Sequence, residues 1–270
     1  MARRSQRGAR RFEQKEIPVS ETTPRTDVSP EVREFLLALA DDKHLMGQQH
    51  AEWIGVTPFL EEDLAFCSIG QDELGHAALL YEVLVGDDDQ AIDALAFDRT
   101  GDAYRSCHLV EFSTDDWATA FARHWLFDLA DQLRWELLAE STNEQVRHVA
   151  ARVEREELFH RLHADQMVDV LVRDAEALDR LIGAVTRLAS MVRGMFEPAA
   201  GERDAIAQGV ASGSFLERWD EFVSAVEDRI GPIEWGDPPK QEHRTVRSAD
   251  WQPLMTRMRE VIDLDTSALW

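Results

Sequence analysis

The stretch GQDELGH, residues 70–76, lies inside a long run of apolar residues spaced three and four apart. That spacing predicts an amphipathic helix, yet it puts Glu73 and His76 in line with Phe66, Ile69 and Leu80. A carboxylate on a buried face is costly on its own. A cation that neutralises it and takes the imidazole as a ligand makes the pattern tolerable. A mid-helix glycine destabilises by about 1 kcal/mol relative to alanine, so Gly75 either eases close packing beside the ligands or is a tolerated helix glycine.

The same E-x-x-H spacing recurs at Glu157 and His160, on a seam made of Val146, Ala150, Val153, Ala164, Met167 and Leu171. Two further seams carry carboxylates. One runs through Ala38, Asp42, Leu45, Gln49 and Glu52, the other through Phe121, Trp125, Asp128, Gln132 and Trp135. A dinuclear centre in a helix bundle takes one carboxylate from each of two helices and an E-x-x-H pair from each of the others. The candidate set is therefore Glu52, Glu73, His76, Asp128, Glu157 and His160, with Glu73 and Glu157 bridging. Asp131 and Glu136 are the runners-up to Asp128, and His124 and His163 are candidate outer partners. Four carboxylates and two imidazoles suit iron or manganese rather than a thiolate-bound zinc.

Helical periodicity dominates the rest of the chain. Asp27 or Ser29 can cap a first helix, with Pro30 at its first position, running to about Ile54. A second spans about 58–85, followed by a short piece near 89–98. Ser113 and Thr114 cap a third, about 115–141, with Asp115 and Asp116 in its first turn. Thr142 or Asn143 opens a fourth to about 172, and a fifth follows to about 196. Helices near 214–230 and 251–262 close the chain. The expected fold is all-α: a four-helix bundle with additional C-terminal helices, in one domain over residues 30–270.

Composition narrows the function. The net charge of −23 disfavours nucleic acid and anionic membranes. Lysine occurs only at positions 15, 43 and 240, the other 26 basic residues being arginine. Scarce lysine and excess acid also fit a salt-adapted cytoplasm. Two cysteines, Cys67 and Cys107, without C-x-x-C spacing, argue against a disulfide framework, an iron–sulfur cluster or a structural zinc site. No apolar run approaches the 18 or so residues of a membrane span. Residues 1–29 read as a disordered basic tail; Arg10–Arg11 are followed by polar residues, unlike an export signal.

The segments QQHAEWIG, LEEDLAFCSIGQDELGHAALLYE, FARHWLFDLAD and EREELFHRLHADQM resemble the A and C subunits of the ring-epoxidising phenylacetyl-CoA oxygenase family. The resemblance runs over about residues 35–270, and FLERWDEFV and the closing WQPLMTRMREVI…LW are similar to the tail of the C subunit. It implies a ferritin-like helical fold. It also implies a division of labour: the A subunit holds two irons and binds the aromatic CoA thioester, while the C subunit usually lacks several ligands and serves as structural partner. Glu73, His76 and Glu157 stand here where C subunits lack them, so the shape resembles C and the metal motif resembles A.

The leading expectation is a cytoplasmic di-iron monooxygenase subunit of phenylacetate or related aromatic catabolism. It would use O2 and an aromatic acyl-CoA, take electrons from an external reductase, and associate with a homologous subunit or with itself. The alternatives are a non-catalytic C-type subunit of the same complex and a ferritin- or rubrerythrin-like iron or peroxide handler.

Overall fold

The computed structural model describes residues 28–265, which form helices and connecting segments with no strand among them. The basic tail expected over residues 1–29 thus lies, apart from its last two residues, outside the described residues. In chain order the helices are α1 (Pro30–Ala51), α2 (Leu60–Val85), α3 (Asp89–Phe97), α4 (His108–Glu111) and α5 (Trp117–Leu138). There follow α6 (Glu144–Leu171), α7 (Ala175–Met195), α8 (Glu202–Ala207), α9 (Trp219–Ile230) and α10 (Trp251–Met258). The hairpins α1–α2 and α5–α6 make the bundle, and α7 packs along α5. None of these helices is long and apolar enough to cross a membrane.

Side-chain caps set the starts of α1, α3, α5, α6 and α7. Ser29 Oγ accepts from Val32 N at 3.3 Å, and Pro30 occupies the first helical position, whose N–H has no helical partner. Asp116, not Ser113 or Thr114, caps α5 through Thr119 N at 2.9 Å. Asn143 caps α6 and Asp174 caps α7, each accepting from two backbone amides. The first helix ends at Ala51 rather than Ile54, and α10 at Met258 rather than residue 262.

The core is divided in two. Val32, Phe35, Leu36 and Ala40 of α1 join Ala77, Leu80, Val146 and Val153 in one apolar cluster. Leu45 and Met46 join Phe121, Trp125, Ala164 and Val168 in another. Between them α1 carries Asp41, Asp42, Lys43 and His44, all buried. A polar layer therefore crosses the bundle, and α1 is buried on nearly every side, as a central helix must be.

Close approach of α1 and α2 depends on glycine. A Cβ on Gly47 would lie 2.7 Å from Leu74 Cγ and 2.9 Å from Gly70 O, and one on Gly70 would lie 3.1 Å from His50 Cβ. Gly75, expected to ease packing, faces nothing within 4 Å. Its neighbour in the heptapeptide, Gly70, has that role.

The C-terminal segment is tied into the polar layer. Arg244 donates to Asp42 at 2.7 Å and to Met195 O at 2.8 Å. Glu242, His243 and Arg244 turn through left-handed φ values of 45°, 56° and 69°, a conformation costing roughly 1–2 kcal/mol per residue. Burial of the Arg244 guanidinium against Asp42 holds that turn.

Candidate metal centre

Hairpin register brings the polar groups together. Glu73 and Glu157 each lie thirteen residues past the first residue of their helix, α2 and α6. In an antiparallel hairpin their neighbours on α1 and α5 lie before those helices end, here by seven to ten residues. On α5 that position falls at Asp128 and Asp131; on α1 it falls at Lys43. Glu52 is nine residues further on, about 13 Å along the helix axis.

The structure accordingly corrects the expected ligand set at one residue. Glu52 forms the C-cap of α1, is 35% exposed, and pairs with Arg257 Nε at 2.7 Å. It is not part of the centre. Glu73, His76, Asp128, Glu157 and His160 are all buried in the polar layer. Ligand atoms of Glu73, Asp128, Glu157 and His160 lie within 4.8 Å of one another, a group able to hold a metal ion.

Lys43 is the residue that periodicity missed. Its Nζ lies 2.8 Å from Glu73 Oε2, 2.6 Å from Asp131 Oδ2 and 2.5 Å from Glu157 Oε1, with all four side chains buried. The runner-up Asp131 thus enters the centre as a partner of the ammonium. One signal in the sequence pointed to Lys43: in a chain whose cations are nearly all arginine, it is a lone lysine in the middle of a long helix.

The two imidazoles are held by crossed pairs. His76 Nε2 donates to Glu156 Oε2 at 2.8 Å, and His160 Nε2 donates to Asp72 Oδ2 at 3.2 Å. Each histidine is thus anchored by the acid that precedes the ligand glutamate of the opposite helix, in the matching sequences DELGH and EELFH. Nε2 is thus engaged in both rings, and both Nδ1 atoms are buried without a hydrogen-bond partner. Such carboxylate-held imidazoles are the arrangement that orients a histidine toward a metal.

His124 Nδ1 is 3.2 Å from Asp128 Oδ2. A line of imidazoles continues outward, from His124 Nε2 to His163 Nδ1 at 3.3 Å and from His163 Nε2 to Glu62 at 3.1 Å. His50 Nε2 joins His124 Nδ1 at 3.3 Å from the other side. Both outer partners expected from the sequence therefore flank the centre without entering it.

Electrostatics follow from burial and from the ammonium. Burial pushes the Glu73 carboxyl up to about 7, against the pull of Lys43. Burial and the Glu157 charge push Asp128 well above the usual carboxylate range. Burial opposes ionisation of Glu157 too, but Lys43, His160 and His76 hold it well below its ordinary value. Asp131, Glu157 and Glu73, outweighing desolvation, hold the Lys43 ammonium charged. Desolvation works against the His160 imidazolium, yet Asp72 and Glu157 bring that group up to about 11. Without a metal, the layer therefore balances its charge with an ammonium and with protons.

Two metal ions do not fit this set of side chains. The ammonium takes one oxygen each from Glu73, Glu157 and Asp131, and the carboxylate expected from α1 is elsewhere. The donors for one ion remain.

Residues 16–270 match the family described as "Phenylacetic acid catabolic protein". Over 129 residues, 47% of this chain and 51% of the relative, the sequence is 33% identical to the C subunit of the 1,2-phenylacetyl-CoA epoxidase of Escherichia coli strain K12. The match spans about half the length of that relative.

Proposed function

Since the chain belongs to the phenylacetic acid catabolic protein family, we propose that it is the partner component, the C-type counterpart, of a ring-epoxidising oxygenase acting on phenylacetyl-CoA or a related aromatic acyl-CoA. The observation that carries this reading is Lys43. Its buried ammonium lies among Glu73, Asp131 and Glu157, between the two glutamates that a dinuclear centre would use as bridges. Similarity to the C subunit of an epoxidase supports the same assignment.

Partnership is further supported by the outer faces of the E-x-x-H helices and the turn before α2. Phe59, Leu60 and Leu64 at one helix, and Leu158, Phe159 and Leu162 on the other, are about half or more exposed. Clusters of large exposed apolar side chains are typical of protein–protein contacts. The electrons for oxygen reduction come, on this reading, from a separate reductase to an A-type subunit.

The retained pairs Glu73/His76 and Glu157/His160, with their oriented imidazoles, favour a second reading in which this chain is itself the oxidising di-iron subunit. The experiment that separates the two is reconstitution. The purified chain, an A-type subunit of the family and the reductase are assayed singly and mixed, for phenylacetyl-CoA-dependent epoxide formation and for iron content. The partner reading expects no turnover from this chain with reductase alone and restored turnover in the mixture, with the iron on the A-type subunit. Turnover by this chain and reductase alone establishes the second reading. Ferroxidase turnover without any binding to an A-type subunit would point instead to an iron handler.

A further inference from the structure

The two hairpins enter the polar layer in the same register but bring opposite charges. From α5 come Asp128 and Asp131; from α1 comes Lys43. The ammonium divides the glutamates atom by atom. It takes Oε2 of Glu73 and Oε1 of Glu157, while Glu157 Oε2, both Asp128 oxygens and His160 Nδ1 are buried with no hydrogen-bond partner. The unpartnered atoms belong to the group whose ligand atoms lie within 4.8 Å of one another.

We propose that the layer binds one divalent first-row metal ion, held by Glu73, Asp128, Glu157 and His160, with the Lys43 ammonium fixed in the position of a second metal. Geometry supports the number: the ammonium already holds one oxygen each of Glu73, Asp131 and Glu157, and the remaining ligand atoms form a single group. Three carboxylates and one imidazole form a donor set suited to Mn2+ or Fe2+. A crevice of about 70 Å³ between α5 and α6, lined by Gln132, Glu136, Glu154 and Arg161, reaches Glu157 and gives the ion a route in.

This inference goes beyond the assignment as partner component, and the two fail differently: loss of association with an A-type subunit bears on the assignment alone, and a metal-free wild-type layer bears on the ion alone. The test is Mn2+ binding to the chelator-stripped full chain, by equilibrium dialysis and by electron paramagnetic resonance. The expected result is one Mn2+ per chain with the six-line spectrum of an isolated ion, lost in Asp128→Asn and kept in Glu52→Gln. Lys43→Glu, which supplies from α1 the carboxylate that α5 already brings, is expected to raise the stoichiometry to two and give a coupled spectrum. No bound Mn2+ in the wild type, two bound, or an unchanged count in a folded Lys43→Glu chain would overturn the proposal. Should Lys43→Glu not fold, the wild-type count and its loss in Asp128→Asn decide alone.

Discussion

Replacing Lys43 by methionine keeps most of the length of the side chain and removes its charge. Glu73, Asp131 and Glu157 then face one another without the ammonium between them. Removing one partner of a buried ion pair costs about 3–5 kcal/mol, and urea unfolding of metal-free Lys43→Met should register a loss of that order. A loss under about 1 kcal/mol would mean that the ammonium does not hold the layer together. His44, beside it, is buried with Nε2 unpaired, and its ring lies edge-on to Phe97. Burial, aided by the Arg99 charge, drops its pKa from 6.5 to about 3. The folded state therefore binds fewer protons than the unfolded state between those values. The stability from this group is complete above pH 6.5 and is lost as pH falls toward 3, at up to about 1.4 kcal/mol per pH unit. Between pH 6.5 and 5, His44→Gln should lose about 2 kcal/mol less than wild type in thermal or urea unfolding; parallel pH profiles would refute this. Neither residue was visible to periodicity. Seam reading counts lysine as an outward residue, and only the all-round burial of α1 turns Lys43 and His44 inward.

The heptapeptide GQDELGH contains two helix glycines with opposite roles. A Cβ on Gly70 meets His50 Cβ at 3.1 Å and Gly47 O at 3.3 Å, whereas one on Gly75 meets nothing within 4 Å. Overpacking costs about 1–3 kcal/mol, and alanine is the better helix former by about 0.8–1 kcal/mol. Gly70→Ala should thus lower the unfolding midpoint, and Gly75→Ala should raise it; the same sign for both would contradict the α1–α2 geometry. Much of this scale was legible in the sequence. Four seams and two E-x-x-H pairs follow from spacing and side-chain chemistry alone, and the caps Ser29 and Asn143 each stood as one of two neighbouring candidates. What spacing along one helix cannot give is the level at which two helices meet. Asp128 was reached as the inward carboxylate of its seam, and the short five-residue link between α5 and α6 keeps that seam level with Glu157. The longer link 52–59 made Glu52, the carboxylate nearest the turn, a poor guide to where α1 faces Glu73.

Across the whole molecule, fold class and family were legible because they rest on repeated, redundant signals. The choice between a two-metal interior and an ammonium-filled one rests on a single side chain, and no redundancy protects it. Association should likewise depend on a few exposed residues. Phe159→Asp, on the outer face of α6 and half exposed in the free chain, should weaken co-purification with an A-type subunit at least about tenfold while leaving the unfolding midpoint nearly unchanged, since exposed substitutions commonly alter stability by under about 0.5 kcal/mol. Equal recovery of complex would remove this face from the interface. The crossed pairs Asp72–His160 and Glu156–His76 carry a last consequence. Each joins α2 to α6 in the opposite sense, so neither helix can slide along its axis or fray at mid-length without parting both. The hairpins are latched as a cooperative unit, and amide protons around residues 72–76 and 156–160 should exchange at one common rate, slowed together or released together.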